Sequence, residues 1–197
     1  MDYFSKEEAD VIGEISNISI GSSATAMNVM LGQPITITTP DVSLVHKSEI
    51  LCDYDNACVI IKVQYTQGLF GSNLLVLKEE DARIITDLMM GNDGHGTYST
   101  GDISDLHLSA VAEAMNQMTA SSATAMSKMF DNKIDISPPI VQHIVIDEFK
   151  FSDDISDDLF VKINFRMKIG KLIDSTIVQL YPFDLAHSIY KLFQRRK

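Results

Sequence analysis

Apolar residues recur at helical spacing in two long segments of the chain. Ile12 and Ile15 fall on one side of a helix predicted over 5–31, and Val111 and Met118 fall on one side of a helix predicted over 103–130. Positions i, i+4 and i+7 stack on one face of an α-helix. The faces opposite the apolar ones carry matching polar residues, namely Asp10, Glu14 and Asn17, then Ser109, Glu113 and Asn116. Both helices are therefore predicted to be amphipathic, with the polar stripe turned outward.

Shorter apolar runs predict strands between and after these helices. Two of them, 59–63 and 160–165, are rich in β-branched or alternating apolar residues. In chain order the predicted elements are strand 34–39, an extended stretch to about 48, strands near 57–66 and 69–77, helix 79–91, extended 134–149, strands near 158–168 and 171–181, and helix 182–194. Short links at 66–68 and 169–171 favour antiparallel hairpins. The sequence predicts an α+β fold in which long helices pack on a shared antiparallel sheet.

The polar stripe occurs twice with the same spacing. The first copy reads D-x3-E-x2-N-x22-P and the second S-x3-E-x2-N-x22-P, with Glu14 and Glu113 placed 99 positions apart. The segments 22–27 and 121–126 share the run Ser-Ser-Ala-Thr-Ala-Met. Two copies at so long a period indicate a duplicated domain rather than a solenoid. Residues 1–197 are thus predicted to form one pseudo-twofold domain of two repeats, about 5–91 and 103–194.

A polar helix stripe is most simply a solvated face, and a duplication preserves local sequence without any function. Both copies nevertheless keep Glu and Asn at the same two points while much of the remaining sequence differs. One turn further on, Gly21 and Ala120 lack bulk, which suggests that another protein approaches closely there. Glycine in a helix costs about 1 kcal/mol relative to alanine. The two prolines of the repeat, Pro40 and Pro139, lie too far along the chain to touch a bound substrate by themselves and are expected to mark strand ends.

Four segments resemble the CheC/FliY/CheX family of response-regulator phosphatases, and most of all the phosphatase-like middle domain of FliY proteins. They are the run 12–19, the block 22–26, the run 109–118 and the stretch 172–175. The likeness extends from about residue 4 to about residue 193. It implies that the chain hydrolyses the aspartyl phosphate of phosphorylated CheY at the flagellar motor switch.

The resemblance also assigns roles to the doubled stripe. Asn17 and Asn116 would hold the attacking water, because an amide both donates and accepts hydrogen bonds. Glu14 and Glu113 would pair with the lysine of the receiver active site. The residues one turn earlier, Asp10 and Ser109, would support the orientation of the pair. The chain itself would need no cofactor, since the phosphorylated receiver would supply Mg²⁺.

Three classes of function stay open at this point. The first is the phosphatase, favoured because both copies keep Glu and Asn. The second is a structural flagellar switch module with vestigial sites, and the third is a module that binds phosphorylated CheY with little turnover. FliM, FliG and a FliN-like domain are further partners that the family implies.

Composition narrows the remaining possibilities. The net charge of −11 opposes binding to nucleic acid or anionic lipid. The sequence contains neither a long apolar run that predicts membrane insertion nor a signal-peptide pattern at its start. A cytoplasmic location is expected, and the resemblance places the chain at the cytoplasmic face of the flagellar basal body.

Other polar features predict no chemistry. Cys52 and Cys58 are expected to be reduced thiols. The segment 91–96 lacks the residues of a P-loop or EF-hand and is expected to be a mobile connector between the repeats. An acidic loop is expected to be solvated and contains Asp153, Asp154, Asp157 and Asp158.

Overall fold

The computed structural model describes residues 4–38, 40–50, 54, 57–146 and 158–195. The first repeat contains helix α1 (Lys6–Leu31), strands β1 (Ile35–Ile37), β2 (Asp41–His46), β3 (Ala57–Gln67) and β4 (Gly71–Lys78), and helix α2 (Glu79–Met89). The second repeat contains α3 (Asp105–Phe130), β5 (Asp135–Ile136), β6 (Ile140–Val145), β7 (Leu159–Ile169), β8 (Ile173–Pro182) and α4 (Phe183–Gln194). The same element order thus appears twice, as the repeat predicts.

The strands form one eight-stranded antiparallel sheet in which the two repeats exchange their short strands. β1 and β2 pair with β7 of the second repeat, while β5 and β6 pair with β3 of the first. The two hairpins meet in the middle, where β4 pairs with β8. Each repeat therefore completes the sheet of the other, and neither repeat contains a complete half-sheet of its own.

A pseudo-twofold axis crosses the sheet between β4 and β8. Three residue pairs join these strands, and the middle pair is Leu75 opposite Gln179. The pairs on either side are Leu74 with Leu180 and Val76 with Val178. A rotation that superimposes one repeat on the other converts each of these two pairs into the other. In an antiparallel pair such an axis stands perpendicular to the sheet. α1 and α3, which share one face, therefore run antiparallel to each other.

The main core lies between the sheet and the four helices. Ile12, Ile15, Val111 and Met118 are all buried there, which confirms the predicted inward faces of the two long helices. A smaller apolar cluster lies on the other face of the sheet and contains Cys58. The architecture is the predicted α+β fold.

The thiol of Cys58 is free and buried. Burial and the nearby Glu79 carboxylate raise the pKa of this thiol to about 11, so it stays protonated at neutral pH. Cys52 and three of the four aspartates of the acidic loop lie outside the described residues. Asp158 is described, and its Oδ2 atom lies 3.5 Å from Nδ1 of the exposed His46.

Local signals fix the ends of the long helices. Ser5 caps α1, since its Oγ accepts a hydrogen bond from the Glu8 N–H at 3.1 Å while its own N–H donates to Glu8 Oε2 at 2.8 Å. Gly32 caps the C-terminus of α1 directly after Leu31, and its φ of 63° lies in the left-handed region that suits glycine. At the start of α3 the Ser104 N–H donates to His107 Nδ1 at 3.1 Å. No helix in the described part of the chain combines the length and the apolarity that a membrane crossing requires.

The connector between the repeats is more ordered than the sequence predicts. The buried carboxylate of Asp87 accepts hydrogen bonds from the backbone N–H groups of Gly94, Gly96 and Tyr98 at 3.0, 2.9 and 3.1 Å. The side chain of Asn92 donates to the same carboxylate at 3.0 Å. The prediction of a mobile connector is therefore wrong, because one carboxylate at the end of α2 holds the loop by its backbone.

Asp87→Asn is expected to destabilise the fold by about 2 kcal/mol, since it leaves buried backbone donors without a charged acceptor. Burial alone raises the pKa of Asp87, but hydrogen bonds from Gly96, Asn92, Tyr98 and Gly94 outweigh it and hold the pKa below its usual range. The ionised carboxylate of Asp87 therefore stabilises the fold fully above the unfolded-state pKa of about 4. It is lost as the pH falls through the lower pKa of the folded state.

Urea unfolding of the wild type and the variant at several pH values checks this prediction. The exposed Asp93 of the same loop accepts a bond from the His95 N–H at 2.9 Å, so Asp93→Asn is the matched control and should change little. A stability difference between Asp87→Asn and wild type that does not shrink in acid would contradict the assignment.

Candidate active site

The outward stripe of α1 places its polar side chains at the protein surface. Asp10 and Glu14 are exposed, whereas Asn17 is half-buried. The capping box at Ser5 and Glu8 anchors the first turn of this helix, one turn before Asp10. The exposed carboxylate of Glu14 can therefore contact a partner, whereas the half-buried position of Asn17 restricts the motion of its amide.

The stripe borders a shallow hollow of about 320 Å³ between α1 and the start of β2. Its lining comprises Ala9, Asp10, Gly13, Glu14, Asn17, Pro40, Asp41 and Val42. Pro40 directly precedes β2, which agrees with the predicted strand end. It also lines the hollow together with Glu14 and Asn17. The strand exchange brings β2, and Pro40 with it, back beside α1. The expectation that Pro40 does not touch a bound substrate stays a prediction.

Gly13 allows helix and strand to come this close. A Cβ atom at this position would lie 3.2 Å from Cγ2 of Val42, tighter than ordinary van der Waals contact. The second repeat has Ala112 at the matched position. Gly13 therefore lines the hollow in close contact with β2, although the predicted stripe did not include it, and its only signal in the sequence is a glycine beside Glu14.

The second stripe, on α3, has the same exposure but a different environment. Ser109 and Glu113 are exposed and Asn116 is half-buried, as in the first repeat. Here Gln117 Nε2 donates a hydrogen bond to Glu113 Oε1 at 3.1 Å. The matched residue on α1 is Ile18, which is 46% exposed and makes no such bond. Sequence reasoning missed Gln117, although its i+4 spacing from Glu113 is the signal for such a pair.

The two stripes lie on one face of the molecule, on either side of the pseudo-twofold axis. The helices cross near this axis, where Ser22 Oγ donates to the backbone oxygen of Ser121 at 3.4 Å. Asn17 and Asn116 are each five residues from this crossing. At a rise of about 1.5 Å per residue, the two amides are about 15 Å apart along the antiparallel helices. The structure thus brings each Glu next to its own Asn but keeps the two pairs separate.

The residues of each stripe offer one carboxylate and one amide to a partner. A carboxylate pairs with a cationic side chain, and an amide both donates to and accepts from a water molecule. Among the described residues, no group of three His, Cys, Asp or Glu side chains is arranged to hold a metal ion. The hollow beside α1 opens to the protein surface, and its lining includes the exposed Asp10 and Glu14 and the half-buried Asn17. This geometry fits a macromolecular partner whose own reacting group reaches the helix face.

Comparison with known proteins agrees with the repeat. The family model described as CheC-like matches residues 7–44 and 106–143. These two ranges contain most of α1 to β2 in the first repeat and most of α3 to β6 in the second, including both polar stripes. The chain is 50% identical over 190 residues to the flagellar motor switch phosphatase FliY of Bacillus subtilis (strain 168). That alignment covers 96% of this chain and 50% of the relative, so the chain spans about half the length of that protein.

Solved structures share the fold. The crystal structure of Thermotoga maritima FliY matches with a TM-score of 0.91 and 36% identity, over 100% of both chains. A chain of the FliG–FliM complex from H. pylori matches with a TM-score of 0.73 over 95% of this chain and 99% of its own length. At 14% identity, this second likeness shows the fold alone.

Gly21 and Ala120 provide a test of what the fold itself requires on the stripes. A Cβ atom at Gly21 would meet nothing within 4 Å. Gly21→Ala should therefore raise the free energy of unfolding by about 1 kcal/mol through helix propensity. The reverse change at the matched position, Ala120→Gly, should lower it by about the same amount. Thermal unfolding of both variants measures this. Destabilisation by Gly21→Ala would show that the domain itself needs the glycine, and that it is not kept for the approach of a partner.

Proposed function

The chain belongs to the CheC-like family, and we propose that it hydrolyses the aspartyl phosphate of the chemotaxis response regulator CheY. The observation that carries this proposal is the doubled Glu/Asn pair, kept in both repeats and exposed on one helix face. The identity to a protein named a flagellar motor switch phosphatase supports it. The name of the same relative supports a place for the chain at the flagellar motor switch, and we propose a cytoplasmic location with it.

The substrate requires little from the enzyme beyond positioning. An aspartyl phosphate is a mixed anhydride and already activated, so water can displace the carboxylate directly without a covalent enzyme intermediate. Phosphoryl transfer is accelerated mainly by in-line placement of the nucleophile and by charge stabilisation. A helix face that inserts one amide beside the phosphorus supplies the first of these. This chemistry agrees with a hollow beside α1 whose lining contains neither a cysteine nor a histidine.

Each member of the pair has a separate task. The amides of Asn17 and Asn116 hold the attacking water in line with the bond that breaks, and their half-buried positions limit the orientations that they can adopt. Glu14 and Glu113 are more exposed and pair with the conserved cation of the receiver, its active-site lysine. Asp10 and Ser109 lie one turn before the Glu and support docking. The phosphorylated receiver supplies Mg²⁺.

A scaffold role is the main alternative, because the name of the Bacillus subtilis relative refers to the flagellar motor switch as well as to a phosphatase. FliM occurs with FliG in the complex that contains a chain of the same fold. FliM, FliG and a FliN-like domain are proposed as further partners because the chain is 50% identical to a protein named for the flagellar motor switch. A module that only binds phosphorylated CheY is the third possibility. Turnover by this chain alone separates the phosphatase from both.

Asn17→Ala combined with Asn116→Ala tests the catalytic proposal. The double variant should fold normally, since substitutions at partly exposed surface positions usually change stability by no more than about 0.5 kcal/mol. Its rate of phospho-CheY hydrolysis should fall by about 100-fold or more, as for loss of a single positioned catalytic hydrogen-bonding group. Each single variant should keep part of the activity, because the other site stays intact.

Release of phosphate from radiolabelled phospho-CheY measures the rate, and circular dichroism verifies the fold. Thr25→Ala with Thr124→Ala is the matched control, since these exposed threonines occupy equivalent positions on the same two helices. Wild-type hydrolysis by the folded double Asn variant would eliminate this mechanism and favour the scaffold.

A further inference from the structure

The two Glu/Asn pairs are alike, but the residues that surround them are not. The strand pairing allows the surroundings to be matched position by position. Asp41 of β2 lies opposite Asn164 of β7, and Ile140 of β6 lies opposite the equivalent residue Lys62 of β3. Asp41 and Ile140 therefore occupy the same place beside the first and second pair. Their chemistry differs, because one is an acid and the other an apolar residue that is 60% exposed.

The outer edge of each Glu/Asn pair, meaning the side away from the other long helix, shows the same change. At the first pair, Asp10 and Asp41 line the hollow and both carry negative charge. At the second pair, the matched residues are Ser109 and Ile140, both exposed and both uncharged. The acidic edge of the first pair is thus replaced by a neutral, partly apolar edge at the second.

The inner edge, towards the other long helix, follows the same rule. Lys128 of α3 lies in the groove between the helices together with Ile18, which is next to Asn17. Its matched residue in the first repeat is Val29, which is 82% exposed and by the pseudo-twofold lies beside the second pair. A fully exposed valine has no role in the core. The groove thus carries a cation near Ile18 of the first repeat, where the matched position near Gln117 carries an exposed valine.

Three matched pairs depart from this pattern without removing it. Leu44 of β2, which is 38% exposed, corresponds to the polar His143 of β6, but Leu44 lies outside the lining of the hollow. Lys6 and Asp105 differ in sign, but Lys6 lies on the first turn of α1 and outside the lining of the hollow. Ile18 corresponds to the polar Gln117, whose amide is bonded to Glu113. Asp10 and Asp41, which line the hollow beside the first pair, still correspond to Ser109 and Ile140, and Lys128 of the groove corresponds to Val29.

We propose that the two sites dock the receiver domain by different forces, the first through charged groups at its edge and the second through apolar contact. The inference rests on the proposed function, because it takes the receiver as the partner of both sites. Charge pairs at an exposed surface are screened by salt, with a Debye length that falls from about 10 Å at 0.1 M to about 3 Å at 1 M. Apolar contact is not weakened by salt. Ionic strength therefore distinguishes the two sites.

The test isolates each site with a neutral block. Asn17→Trp closes the first site by bulk and Asn116→Trp closes the second, without a change of charge. The probe is the receiver domain of CheY activated with beryllofluoride, a stable mimic of the phosphorylated form. The variant with both blocks should bind none of it. Binding by that doubly blocked variant would mean that the receiver docks elsewhere and would overturn the inference.

Dissociation constants at about 0.1 M and about 1 M NaCl give the decisive comparison. With only the first site open, the constant should rise by at least about fivefold, because its charged contacts are screened. With only the second site open, only the ion pair of Glu113 is screened, so the constant should rise by no more than about half the factor seen with the first site. A rise at the second site that equals or exceeds the rise at the first would overturn the inference. So would the absence of binding to either site.

Exchange of the edges provides a matched control. Asp10→Ser with Asp41→Ile, in the chain with only the first site open, should remove most of the salt dependence. Ser109→Asp with Ile140→Asp, in the chain with only the second site open, should introduce it. If these exchanges leave the salt dependence unchanged in folded variants, the edges do not determine it and the inference fails.

Turnover of phospho-CheY by the same variants separates this inference from the proposed function. Contrasting salt dependence of binding without any turnover would support the two docking modes and contradict the catalytic proposal. Turnover by both sites, together with identical salt dependence of binding, would support the catalytic proposal and contradict the two docking modes.

Discussion

The pairing of β4 with β8 is the contact on which the rest of the structure depends. It sets the pseudo-twofold axis perpendicular to the sheet, with Leu75 and Gln179 as the central pair. An axis in this direction places the two long helices antiparallel on one face of the sheet. The exchange of β2 and β6 between the repeats then brings one strand beside each helix. Both stripes consequently face the same way, and each repeat needs the other to complete its surroundings.

Duplication with divergence explains why the sites agree in their centre and differ at their edges. The Glu/Asn pairs lie on helix positions that contribute little to the core, so fold stability alone does not preserve them. Their retention in both repeats is best explained by a shared chemical task. The edges are equally exposed, yet Asp10, Asp41 and Lys128 correspond to uncharged residues in the other repeat. A partner that is held differently at each site accounts for both facts.

The sequence predicted the elements well because periodicity and capping are local signals. α1 and α3 begin and end within two residues of the predicted bounds, and Ser5 and Gly32 supply the reasons. The exchange of strands was not predictable, since β2 contains nothing in its own pattern that selects β7 as its partner. The inclusion of Pro40 in the hollow follows from that exchange. The hydrogen-bonded structure of the connector was also not predicted. Asp87 accepts hydrogen bonds from backbone N–H groups, which almost every residue type has, so the sequence does not indicate these contacts.

The central claim is that each Glu/Asn pair meets the phosphorylated group of a receiver directly. A crystal structure of this chain with beryllofluoride-activated CheY tests it most directly. The account predicts that the receiver contacts α1 or α3, with its active-site lysine paired to Glu14 or Glu113. The adjacent Asn amide should then lie within about 3 Å of a water in line with the beryllium–oxygen bond. A receiver bound on another face, or an Asn side chain turned away from that group, would contradict the account.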